Sequence, residues 1–178
     1  MYSNDFGSLN KFYIIKDHKI TIKNSLKVNR IALIINVKEF NSLRAIKELV
    51  KKNIHNKIFI ANNSKLIVSK KIMGVYLSSY NNKINNFNKN HTFNHNVIGG
   101  AHNISEIRKK FQLGCDAVFL SPVFKTTSHL ESKPIGLVRF LLISKLFNNK
   151  VYPLGGVTPK KLGFFSTLKK FAGISYFK

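Results

Sequence analysis

Short apolar runs recur along the 178-residue chain and are separated by polar or amphipathic segments. Most runs are continuous and do not alternate with polar residues, which is typical of parallel strands buried on both faces. Eight of them have the length of a strand. We therefore predict strands at 12–15, 31–36, 57–61, 74–77, 96–99, 117–120, 151–154 and 172–176.

Four of the intervening segments have the periodicity or the end signals of a helix. Ser105 is a candidate N-cap for the second, and Pro159 stands at a favourable position just before the fourth. The predicted helices cover 42–52, 105–113, 137–147 and 161–170. Segments 17–30 and 81–95 have weak signals, and the second, rich in Asn, Lys and His, is predicted to be a long loop.

The alternation of strands and helices predicts βα repeats with right-handed crossovers. Eight repeats favour one domain over residues 1–178, a small (β/α)8 TIM barrel with shortened or missing helices. Because the chain is short for that fold, an open α/β sheet is the alternative. In either architecture functional residues collect at the carboxyl ends of the strands.

Composition narrows the class of protein. With 44% hydrophobic residues the chain is expected to be globular, and no apolar run reaches the roughly 18 to 20 residues of a membrane span. The first residues do not have the pattern of a signal peptide. The single cysteine, Cys115, cannot form an internal disulfide, and we expect a cytoplasmic protein.

The formal net charge of +23 would attract phosphate, nucleic acid or an anionic membrane surface. The lysines are nevertheless spread along the chain and accompany many Asn and Ile residues. This distribution favours a solvated basic surface over a polyanion-binding stripe. We therefore expect small phosphorylated substrates as partners, neither nucleic acid nor a membrane, and a homo-oligomer if an apolar flank is left uncovered.

The predicted strand 117–120 is followed by a loop of hydroxyl side chains, Thr126, Thr127 and Ser128, and then by His129. Hydroxyls and backbone N–H groups suit phosphate oxygens, and a histidine adds a donor that can carry charge. An ordinary polar loop is the alternative interpretation.

The seventh predicted strand is followed by Gly155 and Gly156. Adjacent glycines bring bare backbone close to a ligand, and the start of the next helix favours an anion. Ile174 and Ser175, at the last strand, would complete a phosphate pocket of the kind that barrels form after strands 7 and 8. A plain turn is the alternative.

The ends of the third and fourth strands offer amides and hydroxyls but no carboxylate. Asn62 and Asn63 follow the third strand, and a Ser-Ser-Tyr-Asn segment at 78–81 follows the fourth. With only 7 acidic residues in the chain, a cluster of carboxylates for a hard metal ion is difficult to build. His102, after the fifth strand, is either a base or a structural side chain at a helix start.

Three segments together resemble the thiamine-phosphate synthase/TenI family: GAHNISEIRKKFQLGCDAVFLSPVFKTTSHLESKPIGL, VYPLGGVTP and AGIS. Their order and spacing match from Gly74 to Ser175, and the match is faint before Gly74. The resemblance implies a (β/α)8 barrel. It also implies coupling of a pyrimidine methyl diphosphate to a thiazole phosphate, with Mg²⁺ and basic residues stabilising the departing pyrophosphate.

The resemblance also implies roles for individual residues. Thr126 and Ser128 match hydroxyls that hold the thiazole phosphate, and Asn62 matches an asparagine near the pyrimidine diphosphate. Lys38 and His129 are the candidate catalytic residues. The backbone cradle for the phosphate matches Gly155, Gly156, Ile174 and Ser175.

The departures from the family concern the diphosphate half of the site. Asn63 stands at the family's first magnesium aspartate, and the second falls near Tyr80 or Asn81, so neither position is acidic. Neutral amides supply no charge, so Mg²⁺ affinity should drop sharply. Gly100 stands where a family serine meets the pyrimidine. The pattern indicates a divergent synthase, or a relative that binds a phosphorylated thiazole without the coupling chemistry.

Overall fold

A computed structural model describes the parts of the chain that build the sheet and most of its carboxyl edge. Those parts are residues 11–15, 31–36, 47–48, 51, 57–62, 72–82, 96–126, 131–158, 160–161, 164 and 171–173.

Eight parallel strands form one sheet. They are β1 (Lys11–Ile15), β2 (Ile31–Asn36), β3 (Lys57–Ala61), β4 (Ile72–Leu77), β5 (Asn96–Ala101), β6 (Ala117–Leu120), β7 (Val151–Pro153) and β8 (Phe171–Gly173). Their order is β7-β6-β5-β4-β3-β2-β1-β8. This is the cyclic order of a (β/α)8 barrel cut between β7 and β8.

The cut between β7 and β8 is narrow. These strands approach within 8 Å between Cα atoms, although no hydrogen-bonded ladder joins them among the described residues. The small TIM-type α/β fold predicted from the sequence is therefore confirmed, and among the described residues no β7–β8 ladder closes the sheet.

Two layers of apolar side chains flank the sheet because successive residues of a strand point to opposite faces. An inner cluster, inside the barrel, is built around Phe59, Ile98, Phe119 and Tyr152. An outer cluster packs the other face of the strands against the helices. Burial on both faces explains why the strands read as continuous apolar runs.

The strand bounds follow the prediction closely, with one informative difference. β5 continues through Gly100 and Ala101, which pair with Phe119 and Leu120 of β6. The sequence analysis ended this strand at Gly99, and adjacent glycines have little strand preference of their own. The ladder to β6 overrides that local preference.

Helix α1 (Ile104–Gln112) begins one residue before its predicted start. The predicted N-cap, Ser105, is wrong, since Asn103 caps the helix in extended backbone and its side-chain oxygen accepts from the Glu106 N–H at 2.9 Å. A Glu106 carboxylate oxygen accepts in turn from the His102 N–H at 2.9 Å, one residue before the N-cap, so the arrangement is a variant of the capping box.

Helix α2 (Leu137–Leu146) confirms the prediction for 137–147 to within one residue. Val138, Leu142 and Leu146 lie on its outer side and are 72%, 66% and 63% exposed. Positions 47, 48 and 51 are helical, as predicted. Positions 161 and 164 are in 3₁₀ conformation, and the rest of the helix predicted at 161–170 lies outside the described residues. Among the described residues no helix, α1 and α2 included, is long and apolar enough to cross a bilayer.

Candidate functional site

Asn62 joins the carboxyl ends of β3 and β4. It adopts positive φ (57°), and its N–H donates to the Tyr76 carbonyl at 2.7 Å. Its side-chain oxygen accepts from the Ser78 N–H at 2.9 Å and from Asn81 Nδ2 at 3.2 Å. Its Nδ2 donates to the Ser78 hydroxyl and to the Tyr80 hydroxyl, the latter at 3.2 Å. The amide predicted to lie near a diphosphate is therefore fully engaged in organising the loop after β4.

Lys110, on α1, supplies a cation to the same loop. Its side chain is fully buried. Nζ donates to the Ser78 carbonyl at 2.7 Å and to the Asn81 carbonyl, with a longer contact of 3.5 Å to Asn82 Oδ1. Burial lowers the pKa of Lys110, and the nearby Cys115 and Glu106 partly oppose this effect.

The sequence analysis overlooked Lys110, although a signal for it was present. Lys110 lies three residues after the buried Ile107 and so occupies the core-facing side of α1. A lysine at such a position has to find acceptors, and here the carbonyls of a neighbouring loop provide them.

Gly99 and Gly100 leave room on opposite faces of β5. A Cβ at Gly99 would lie 2.8 Å from Cγ of Lys110, on the helix side. A Cβ at Gly100 would lie 2.5 Å from the Tyr76 hydroxyl, inside the barrel. The position that matches a family serine is thus backbone only, and the tyrosine hydroxyl fills its space.

Tyr76 stands at the mouth of the inner cluster. Its ring lies 6.0 Å from the ring of Phe119, which in turn lies 6.4 Å from Tyr152. Burial raises the pKa of Tyr76 well above its ordinary value of 10.0, and Tyr80 adds to the rise. Burial also raises the pKa of Tyr152. Both phenols therefore stay neutral at physiological pH.

His102 ties the end of β5 to the end of β6. Its Nδ1 lies 2.7 Å from the Ser121 carbonyl oxygen. A carbonyl can only accept, so Nδ1 carries a hydrogen. Of the two interpretations from sequence, this geometry agrees with the structural one, while the ring itself is exposed at the carboxyl edge.

Backbone hydrogen bonds join the loops after β6 and β7. After the cis Ser121–Pro122 peptide, the Val123 N–H donates to the Leu154 carbonyl at 3.0 Å, and the Phe124 N–H donates to the Gly155 carbonyl at 3.1 Å. Thr126 follows two residues later and is half-buried. The structure thus joins the two loops in which the sequence predicted a phosphate site.

Glycine is required at both positions of the turn after β7. Gly155 and Gly156 adopt φ of 84° and 66°. A Cβ at Gly155 would lie 2.9 Å from Cα of Pro122, and one at Gly156 would lie 2.8 Å from the carbonyl carbon of Phe124. The two glycines therefore allow the turn to pack directly against the β6 loop, and their role in binding a phosphate stays a prediction.

Lys161 adds a cation beside this turn, and the sequence analysis missed it. Nζ lies 3.3 Å from the Gly156 carbonyl oxygen and 4.3 Å from the centre of the Phe124 ring. The cation–π contact holds the ammonium next to the glycine pair. Lys161 directly follows Lys160, and no sequence signal distinguishes it from this neighbour.

The other predicted site residues lie outside the described part of the chain. They are Lys38, Asn63, Ser128, His129, Ile174 and Ser175. Their roles stay predictions.

The described residues at the end of β4 do not fit Mg²⁺. Residues 78–82 contribute hydroxyls, amides and carbonyls but no carboxylate, and the Lys110 ammonium already binds two of the carbonyls. Within the described ranges, no group of three or more His, Cys, Asp or Glu side chains is placed to hold a metal ion. Mg²⁺ prefers carboxylate oxygens, so this edge is a poor site for it.

Comparison with known proteins gives relatives from one family. A segment of 71 residues, 39% of the chain, is 42% identical to an Aquifex aeolicus (strain VF5) protein named "Putative thiamine-phosphate synthase 2", of which it covers 38%. A longer segment of 120 residues, 67% of the chain, is 24% identical to a thiamine-phosphate synthase of Prochlorococcus marinus (strain AS9601), of which it covers 34%. The chain thus spans less than two fifths of the length of these curated relatives.

Solved structures show the same fold. The thiamine phosphate pyrophosphorylase of Pyrococcus furiosus superposes with a TM-score of 0.68 at 17% identity, over 94% of this chain and 86% of that one. A KDPG aldolase of Legionella pneumophila gives a TM-score of 0.65 at 14% identity, over 95% and 84% of the two chains. Identities this low bear on the fold alone.

The family model described as thiamine monophosphate synthase matches residues 34–170, more than three quarters of the chain. The match begins in β2 and ends just before β8, so it includes both bonded loops of the carboxyl edge. The protein belongs to the thiamine monophosphate synthase family.

Proposed function

We propose that the protein is a thiamine-phosphate synthase-type transferase that joins a pyrimidine methyl diphosphate to a thiazole phosphate. The observation that carries the proposal is the hydrogen-bonded pair of loops after β6 and β7, where the Gly155–Gly156 turn, the segment leading to Thr126 and the Lys161 ammonium lie together. Family membership supports the reaction class.

The thiazole phosphate binds at the turn after β7. The positive φ of Gly155 and Gly156 shapes a turn whose backbone meets the phosphate, and the Lys161 ammonium beside Gly156 neutralises part of its charge. The Thr126 hydroxyl, in the β6 loop, donates to the phosphate from the facing side. Ser128, Ile174 and Ser175 complete the cradle in this proposal.

The pyrimidine diphosphate binds toward β3 and β4. The bond between the pyrimidine methylene carbon and the diphosphate oxygen breaks first, and pyrophosphate leaves with the electron pair. The thiazole nitrogen then attacks the methylene cation to form the new carbon–nitrogen bond. Lys38 and His129 are proposed to stabilise the leaving group by charge and hydrogen bonding. Asn62 acts indirectly, since its amide holds the loop after β4.

A second function has a specific observation in its favour. The described end of β4 has no carboxylate, and the Asn62 amide is occupied by protein groups. A family member that binds a phosphorylated thiazole-type ligand without coupling it would have such an edge.

Incubation with both precursors, with and without Mg²⁺, tests the proposal through detection of thiamine phosphate by mass spectrometry. Formation of thiamine phosphate and pyrophosphate in equal amounts supports the transferase. Calorimetry with the thiazole phosphate, read together with product formation, separates the two functions. Binding without any product over prolonged incubation would favour the ligand-binding relative, and absence of both would remove the proposed site.

A further inference from the structure

The path of the Lys110 side chain leads to the functional edge of the barrel. Helical side chains lean toward the helix N-terminus, and the N-terminus of α1 lies at the carboxyl end of β5. The aliphatic stem crosses the bare backbone of Gly99, where a Cβ would lie 2.8 Å from Cγ of Lys110. The ammonium therefore emerges among the residues that follow β4.

The charge of this ammonium has no carboxylate partner within the described residues. Its hydrogen bonds go to the Ser78 and Asn81 carbonyls, and the contact with Asn82 Oδ1 is longer. The acidic group nearest along α1, Glu106, binds the His102 N–H and the Asn103 side-chain amide at 2.6 Å. The ammonium is thus satisfied as a donor, while Glu106 acts on its charge only through space and not as an ion pair, so part of its positive potential extends to the edge.

A bound metal ion can also be held by two carbonyl oxygens that point toward it, as the Lys110 ammonium is. Here the ammonium binds them in a loop that has no carboxylate for a divalent ion. We propose that Lys110 is the resident cation of the β4 edge, and that this edge binds the diphosphate group of a substrate without a divalent metal ion.

Lys110 is a positioning residue in this proposal, because its protons are used within the loop. It fixes residues 78–82, and through Ser78 and Asn81 it orders the Asn62 amide. Its charge acts on the diphosphate through space. The proposal rests on the proposed function in one respect, that the ligand at this edge is a diphosphate.

The test measures binding of inorganic pyrophosphate by calorimetry at constant ionic strength. One buffer contains a metal chelator, and the other contains Mg²⁺. Four proteins are compared: the wild type, Lys110→Met, Lys110→Arg and Lys109→Met. Lys109 is the matched control because it is exposed on the same helix. Amide hydrogen exchange over residues 78–82 reports on the loop in each protein.

With a chelator present the wild type is expected to bind pyrophosphate. Lys110→Met should bind it at least about tenfold more weakly, which is the effect on a single ligand charge of one unit charge at roughly 10 Å in a medium of effective dielectric constant near 20. Lys109→Met should stay within about twofold of the wild type, and Lys110→Arg should recover most of the loss. Exchange at 78–82 should accelerate in Lys110→Met and return toward the wild-type rate in Lys110→Arg.

Two results would overturn the inference: equal affinity of Lys110→Met and the wild type in chelator, or pyrophosphate binding by the wild type only when Mg²⁺ is present. The second comparison needs no variant, so it decides even if Lys110→Met does not fold. Metal-free binding that depends on Lys110, in a protein that forms no thiamine phosphate, would refute the proposed transferase and leave this inference standing.

Discussion

The Tyr76 hydroxyl and any side chain at position 100 compete for one volume inside the barrel. A Cβ added at Gly100 would lie 2.5 Å from the Tyr76 hydroxyl, 3.2 Å from Cζ of the same ring and 3.3 Å from the Ser79 nitrogen. The ring packs on Phe119, so it has little freedom to withdraw. Gly100→Ala should therefore destabilise the protein.

The magnitude follows from two opposing effects. Forcing one extra carbon into a packed core costs about 1–3 kcal/mol. Replacing glycine within a strand regains roughly 0.5–1 kcal/mol of backbone entropy. We expect Gly100→Ala to lower the free energy of unfolding by about 1–2 kcal/mol. In a Tyr76→Phe background the nearest atom is gone, so the same substitution should cost about 1 kcal/mol less.

A double-mutant cycle measures this coupling. Urea unfolding of the wild type, both single variants and the double variant gives the four free energies. Gly99→Ala is the matched control, because its Cβ would meet Lys110 on the opposite face of β5. Tyr76→Phe should leave the cost of Gly99→Ala unchanged.

Additivity would refute the reasoning. If the Gly100→Ala and Tyr76→Phe effects sum to within about 0.3–0.5 kcal/mol, the two groups do not share a volume. The same conclusion would follow if Tyr76→Phe relieved Gly99→Ala as much as Gly100→Ala, since the relief would then be nonspecific.

Four further predictions concern the edge and the core. Thr126→Ala and Ser128→Ala should each weaken thiazole-phosphate binding several-fold in calorimetry, and unchanged affinity in both would remove these residues from the site. Asn63→Asp should raise Mg²⁺ affinity in a metal titration; no change would mean that this position does not face the diphosphate. Lys161→Met should weaken binding of inorganic phosphate several-fold, whereas the exposed neighbour substituted as Lys160→Met should not. Because burial raises the pKa of Tyr152, its stabilising contribution is present below about pH 10 and is lost above it. Unfolding titrations should therefore show a steeper alkaline loss in the wild type than in Tyr152→Phe, and parallel curves would contradict this.

The fold was largely predictable because strands that are buried on both faces of the sheet are unbroken apolar runs in the sequence. The strands at 31–36, 57–61 and 117–120 match the structure residue for residue. The extension of β5 through Gly100 and Ala101 was not predictable, because it depends on the ladder to β6. The N-cap was misplaced at Ser105 because Ser and Asn have similar capping preferences, and only backbone geometry selects Asn103.

The candidate site was predictable only in part. The glycine turn at 155–156 and the hydroxyl loop follow neighbouring strands, so strand order alone brings them together. Lys110 and Lys161 were missed because the ends of long side chains depend on tertiary packing. The saturation of the Asn62 amide was equally hidden, since its partners lie 16 to 19 residues away in sequence.

The seam between β7 and β8 gives the proposed phosphate cradle a second consequence. The turn after β7 lies on one side of this seam, and Ile174 and Ser175, proposed to complete the cradle, follow β8 in the sequence. In that proposal a bound phosphate would connect β7 and β8, between which the described residues form no hydrogen-bonded ladder. Ligand binding would then stabilise the protein against separation of β7 from β8. The melting temperature would therefore rise with ligand concentration and would serve as a binding assay.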